Sequence, residues 1–316
     1  MMKRKLQQSW ALIKETLHEF SEDNVMHYGA SLSYYTLFAL PPMIIIVITA
    51  AGTFFGKDAV SGQLYAQLAG LLGEEGALEV QEIVAAAMKL KPNFFAKAVG
   101  IAAILVSSTG MFLALQDALN TIWGVKAMPK SNILKLLRDR VMSFAMVISI
   151  AFLLLVSLVV HAAVVAATQL MSNYFHFISL VVMHIFNVVI PIAIITLLFA
   201  LLFKYLPDAK VRWKDVWIGA FVSSLLFSLG KYVIGLYLGN SNVGSAYGAA
   251  GTVVILLTWV FYSSVLLFVG AEFTKVYASR YGKRIEPADY AVRIEKKILT
   301  KEEFLAQHSN KDLPVR

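Results

Sequence analysis

The sequence predicts an all-α, polytopic membrane protein. The expected architecture has six transmembrane helices, both termini cytoplasmic, and an external helical hairpin between spans one and two. Three observations predict it. Six stretches reach the roughly 20 apolar residues that a hydrocarbon core of about 30 Å requires of a helix. Of the 316 residues, 58% are hydrophobic and 15% charged, where a soluble domain carries about a quarter charged residues. Lys and Arg also crowd into alternate inter-span segments, the asymmetry that fixes orientation in a membrane.

The N-terminus, MMKRKLQQSW, has the positive start of a signal peptide. It lacks the apolar core of about 7 to 15 residues and the small-residue cleavage site that would complete one. Residues 1–27 are therefore expected to remain as a cytoplasmic amphipathic helix. Leu6, Trp10, Ile13, Leu17 and Phe20 recur at helical spacing. That stripe suits either a helix lying in the interface plane or one packed on the protein's own loops.

A membrane domain is expected over 28–273, with spans near 34–55, 98–119, 141–167, 178–203, 216–238 and 249–272. The third is the least ambiguous, with no charge over 28 residues. Between spans one and two, the segment 57–97 repeats the helical pattern twice, as Val60, Leu64, Leu68 and Leu71, then as Leu78, Ile83, Val84, Ala87 and Met88. The turn GEEG separates the two runs and Pro92 stops the second. This is a helical hairpin with one apolar face, which caps the mouth of the bundle or acts as a lid.

Counting Lys and Arg gives 23 on the side of the termini and 4 on the other, with Lys231 making up the total of 28. Both termini are thus expected on the cytoplasmic side of the membrane. A basic tail over 274–316 follows, in which Lys275, Arg280, Lys283, Arg284, Arg293, Lys296 and Lys297 stand close to the last span. Each basic residue beside an anionic leaflet is worth about 1 kcal/mol, so membrane lipids are the expected partner there. Nucleic acid is not expected, because the charges lack a folded groove or a run of aromatic platforms.

Polar residues that the spans do not need form two groups. The inner group is Tyr34, Tyr35, Gln116, Asp117, Asn120 and Glu272, near the cytoplasmic ends, with Tyr262 at mid-depth. Such residues are interhelical glue or the lining of a hydrated path. The outer group is Lys231 with His161, His184 and Asn187, all in the outward halves of their spans. A cation there suits an anionic headgroup, and snorkelling to the interface is the competing account. Pro41 and Pro42 free backbone carbonyls in span one. Gly230, Gly235, Gly239, Gly244, Gly248 and Gly251 offer hinges or close packing between spans five and six.

The stretch YGAAG at 247–251, WVFY at 259–262 and GAE at 270–272 resembles the last-span signature of the YihY/BrkB family of bacterial inner-membrane proteins. ASLSYYTLFALPP at 30–42 and ALQDALNTIWGV at 114–125 are similar to its first- and second-span motifs, and the likeness covers about 20–280. The resemblance implies a six-span helical protein associated with envelope integrity and with movement of lipids or lipid-linked glycans. An older ribonuclease label on the family finds nothing here: Asp117 and Glu272 are the acidic residues of the spans, and the six histidines lack ligand spacing. No catalytic residue, metal or cofactor is expected, and no phosphate loop for nucleotide is present. Two readings follow, a translocator of lipid or amphiphile and a non-transporting envelope scaffold. The identity of any envelope partner or homo-oligomer is not encoded in these patterns.

Overall fold

The computed structural model describes residues 2–56, 109–128, 176–240 and 250–294, with Tyr247 and scattered residues between 58 and 85. The expected third span with His161, residues 98–108, the GEEG turn, Pro92, Gly244, Gly248 and the tail beyond 294 lie outside the described residues. Helix α1 (Met2–Glu22) leads through Asp23 and Asn24 into α2 (Val25–Phe55). Asn24 takes a left-handed conformation, φ 53°, which asparagine tolerates better than most residues and which breaks the helix at that point. Helix α2 ends at Gly56, φ 86°. It runs unbroken through Pro41 and Pro42, so the carbonyls of Leu37 and Phe38 have no i+4 amide to accept from.

Helix α3 occupies 109–122 and closes at Gly124, φ 64°. Helices α4 (His176–Tyr205), α5 (Trp213–Asn240) and α6 (Gly251–Tyr281) follow. Among the described residues, three helices are long and apolar enough to cross a membrane, through Val188–Tyr205, Trp213–Ile234 and Val253–Tyr281. Helix α6 is central: α5, α2 and α1 all pack on it, and α4 packs on α5.

Small residues set how closely α5 and α6 approach. Gly219 faces Thr274, Ser223 faces Gly270, and Gly230 faces Leu266 and Tyr262. The pairing is antiparallel and reciprocal, a glycine on each helix receiving a hydroxyl residue of the other. Ser223 Oγ donates to Gly219 O at 2.8 Å and Thr274 Oγ1 to Gly270 O at 2.7 Å. Each hydroxyl thus satisfies itself on its own helix, and the two backbones meet without a polar debt in the seam.

Two apolar clusters sit at opposite ends of α6. One gathers Leu119, Trp123, Phe199, Phe203, Val216 and Phe268. The other joins Ile44 and Ile48 of α2 to Leu256 and Val260 of α6, with Val60, Val80 and Val84 from the segment after α2. That segment therefore covers the end of the bundle near the start of α6. Its second half buries Ala77, Val80 and Val84, while Leu78 is 48% exposed. Of the stripe expected there, Val84 is buried and Leu78 is not: Ala77, Val80 and Val84 recur at i, i+3 and i+7 on the buried face, and Leu78 points away.

At the other end, the chain builds two short antiparallel pairs: β1 (Val125–Ala127) with β4 (Ala291–Arg293), and β2 (Ala209–Lys210) with β3 (Glu286–Pro287). Residues 274–294, expected as the start of a basic tail, are the last turns of α6 followed by these strands. They fold over the ends of α3 and α4. The N-terminal helix α1 docks at this same end, on the last turns of α6.

Candidate functional site

Asp208 lies in the connection between α4 and α5, 3% exposed. Its Oδ2 accepts from Gln116 Nε2 at 3.2 Å and Asn120 Nδ2 at 2.9 Å. Its Oδ1 accepts from Tyr290 OH at 2.9 Å, and its backbone N–H donates to Asn120 Oδ1 at 2.8 Å. Gln116 and Asn120 are one helical turn apart on α3, which puts both amides on one face. One carboxylate therefore ties α3, the α4/α5 connection and the C-terminal strands together. Asp208→Asn keeps the shape but removes the charge from these bonds, and Tyr290 can turn its hydroxyl to accept. The expected loss is about 1 to 2 kcal/mol, read as a lower unfolding midpoint in detergent. An unchanged midpoint would show that the hub does not hold this end.

The second hub is Lys275 on α6. Its Nζ donates to Glu19 Oε2 at 2.5 Å, Asp23 Oδ2 at 2.9 Å and Glu272 Oε2 at 3.4 Å. Glu272 is fully buried and its Oε1 has no hydrogen-bond donor among the described residues. The oxygens of Glu19, Asp23 and Glu272 lie within 4.8 Å of one another, a spacing able to hold a metal ion. The ammonium stands in the place such an ion would take, so the cluster carries its own cation. One turn further, Arg280 pairs with Glu15. Lys275 and Arg280, expected to adsorb to an anionic leaflet, are instead engaged by Glu15 and Glu19 of α1 and Asp23 of the joint after it, along an antiparallel contact.

The expected inner group does not form one constellation. Gln116 and Asn120 belong to the Asp208 hub and Glu272 to the Lys275 hub, whereas Asp117 is exposed. Tyr34 and Tyr35 are 58% and 38% exposed and stack edge to face at 5.6 Å. The ring of Tyr35 lies over Gly110, where an added Cβ would come within 2.7 Å of it. Tyr262 packs against Gly230 in the α5/α6 seam. Lys231 is exposed on α5, one residue past Gly230, with no ion pair or hydrogen bond among the described residues. Of its expected companions, His184 and Asn187 belong to α4, and His161 lies outside the described residues. Gly251 is buried at the first turn of α6, and Gly235 and Gly239 lie on α5 beyond Lys231.

Asp208 and Lys275 are absent from the groups chosen on sequence. The first sits in an inter-span loop, where an aspartate reads as solvated. The second lies one turn past Glu272, where a lysine reads as the start of a basic tail. The available signal was Glu15, Glu19 and Asp23 at successive turns of a helix whose other face is apolar.

A helical bundle with membrane-crossing helices around a small-residue seam, closed at one end by buried polar hubs, defines a polytopic membrane protein. The second- and last-span motifs meet within it, Trp123 Nε1 donating to Ala271 O at 3.2 Å. The chain matches the Virulence factor BrkB family over residues 16–295 and belongs to that family. It is 29% identical over 278 residues to a UPF0761 membrane protein of Teredinibacter turnerae, covering 86% of this chain and 61% of that one. A UPF0761 membrane protein of Cronobacter sakazakii is 29% identical over 262 residues, covering 80% of this chain and 83% of that one. A third, from Verminephrobacter eiseniae, is 29% identical over 279 residues. The chain spans about three fifths of the length of the Teredinibacter and Verminephrobacter relatives, with 61% and 62% covered. No solved structure matches the chain.

Proposed function

We propose that this membrane protein is a translocator of lipid or a lipid-linked amphiphile in the bacterial cytoplasmic membrane, with six spans and both termini inside. The observation that carries the reading is Lys231, an exposed ammonium on a membrane-crossing helix with no partner among the described residues. It lies 18 residues beyond Trp213, about 27 Å from that end of α5. Three residues from the end of the span Trp213–Ile234, the ammonium reaches the headgroup layer, where the phosphate of a lipid headgroup is the anion a bilayer supplies. The adjacent Gly230 and the small-residue seam let α5 and α6 shift against each other at low steric cost.

In proteoliposomes, Lys231→Ala is expected to slow transfer of an anionic fluorescent lipid between leaflets several-fold while the protein stays folded. Wild-type transfer no faster than in protein-free liposomes, across several lipid classes, would remove the translocator reading. The scaffold reading would then stand, supported by the hubs that lock α1, α3 and the C-terminal strands to α6.

A further inference from the structure

Helix α1 is held to α6 by one face and leaves another uncovered. Leu12 and Thr16 are buried, while Trp10, Ile13 and Leu17 are 69%, 48% and 57% exposed. Of the apolar stripe predicted for this helix, Trp10, Ile13 and Leu17 therefore face outward, while Phe20 packs against the core. Between the two helices lies a groove of about 510 Å³, walled by Leu12 and Ile13 of α1 and by Phe273, Tyr277 and Tyr281 of α6. The α6 wall is a ladder of rings, Phe273 to Tyr277 at 6.1 Å and Tyr277 to Tyr281 at 5.4 Å. Its volume falls within the roughly 300 to 1,000 Å³ of small-molecule sites.

The groove runs along the last turns of the apolar stretch Val253–Tyr281 of α6, at the end of the part long enough to cross a membrane, where headgroups lie. Tyrosines are the residues that settle at that depth. Its far end, at Tyr281, is two residues from the exposed Lys283. The contacts of Asp23 and Glu19 with Lys275, then of Glu15 with Arg280, make α1 and α6 antiparallel. The start of α1 therefore lies towards the end of α6, where Lys283 and Arg284 are exposed. The carboxylates of α1 that would repel an anion are already paired with Lys275 and Arg280.

We infer that this groove binds an anionic phospholipid of the adjacent leaflet, its acyl chain against the aromatic ladder and its phosphate at the Lys283 and Arg284 end. The site is at the opposite end of the bundle from Lys231, and it stands whether or not the protein moves lipid.

The chain has no cysteine, so a single bimane label at Ile13→Cys, in full-length protein in vesicles, reports the groove. Quenching is measured with phosphatidylglycerol or phosphatidylcholine bearing a nitroxide on the acyl chain. The anionic lipid is expected to reach half-quenching at about a fifth of the mole fraction needed by the zwitterionic one. Lys283→Gln with Arg284→Gln should abolish that preference. A label at Leu17→Cys, on the exposed stripe but outside the groove, should be quenched equally by both lipids. Equal quenching at Ile13→Cys, a preference that survives the double neutralisation, or no quenching at all would each overturn the assignment. Because the measurement is made at equilibrium with both leaflets labelled, absence of lipid transfer would leave its outcome unchanged.

Discussion

Gly270→Ala is expected to destabilise the protein by about 3 kcal/mol or more, at or above the upper end of ordinary overpacking. Alanine normally stabilises a helix interior over glycine by about 0.8 to 1.0 kcal/mol, so the sign itself tests the seam. A Cβ at 270 would overlap Ser223 Oγ and stand 2.6 Å from Ser223 Cβ and 3.2 Å from its Cα. Rotating the hydroxyl away relieves the first contact and leaves the others, so α5 and α6 must separate along their length. The reciprocal exchange distinguishes a local clash from a general intolerance: Gly270→Ala with Ser223→Gly moves the bulk from one helix to the other and should recover most of the loss. Thermal unfolding in detergent, followed by size-exclusion fluorescence, measures both. A double variant no better than the single one would mean that the helices do not meet at these residues.

The seam also shows which parts of the fold were legible in the sequence. Apolar length located the helices, because a bilayer demands it, and the three membrane-crossing helices overlap stretches read as spans four, five and six. Which glycines pack was less legible. The cluster over 230–251 drew attention by density, and its Gly230 makes one of the three closest described approaches, whereas Gly219 and Gly270, which make the other two, lie outside it. A Gly-x-x-x-Ser on α5 and a Gly-x-x-x-Thr on α6 mark that face, yet their pairing depends on the register between two helices, which periodicity within one helix cannot give. The polar residues divide in the same way. Gln116 and Asn120 stood out because an apolar span has no use for amides. Asp208, the acceptor that explains them, is 88 residues from Asn120 and sits in a loop. Sequence thus exposed the donors and concealed the partner.

The Lys275 hub makes the second large effect, and it separates charge from shape. Lys275→Met keeps the length of the side chain but leaves Glu19, Asp23 and Glu272 converging with no cation between them. Removing one member of a buried ion pair costs about 3 to 5 kcal/mol, chiefly through the uncompensated charge that remains. Because Glu19 and Asp23 belong to α1 and the joint after it, that loss should appear first as release of α1 from α6. A bimane label at Leu12→Cys, buried in the wild type at 7% exposure, should become accessible to a water-soluble quencher before the bundle melts. Glu272→Gln points the other way. Three carboxylates face one ammonium, Glu272 makes the longest of the three contacts at 3.4 Å, and its Oε1 has no donor. An amide of the same shape places no negative charge in this acidic cluster and brings a donor able to face the carboxylate of Asp23. Its expected effect is therefore a midpoint unchanged or raised, although the residue it replaces is the more deeply buried of the two. A large loss for Glu272→Gln, equal to that of Lys275→Met, would show that the hub depends on the Glu272 charge itself, and the account of Lys275 as a built-in cation shared by three acids would fail.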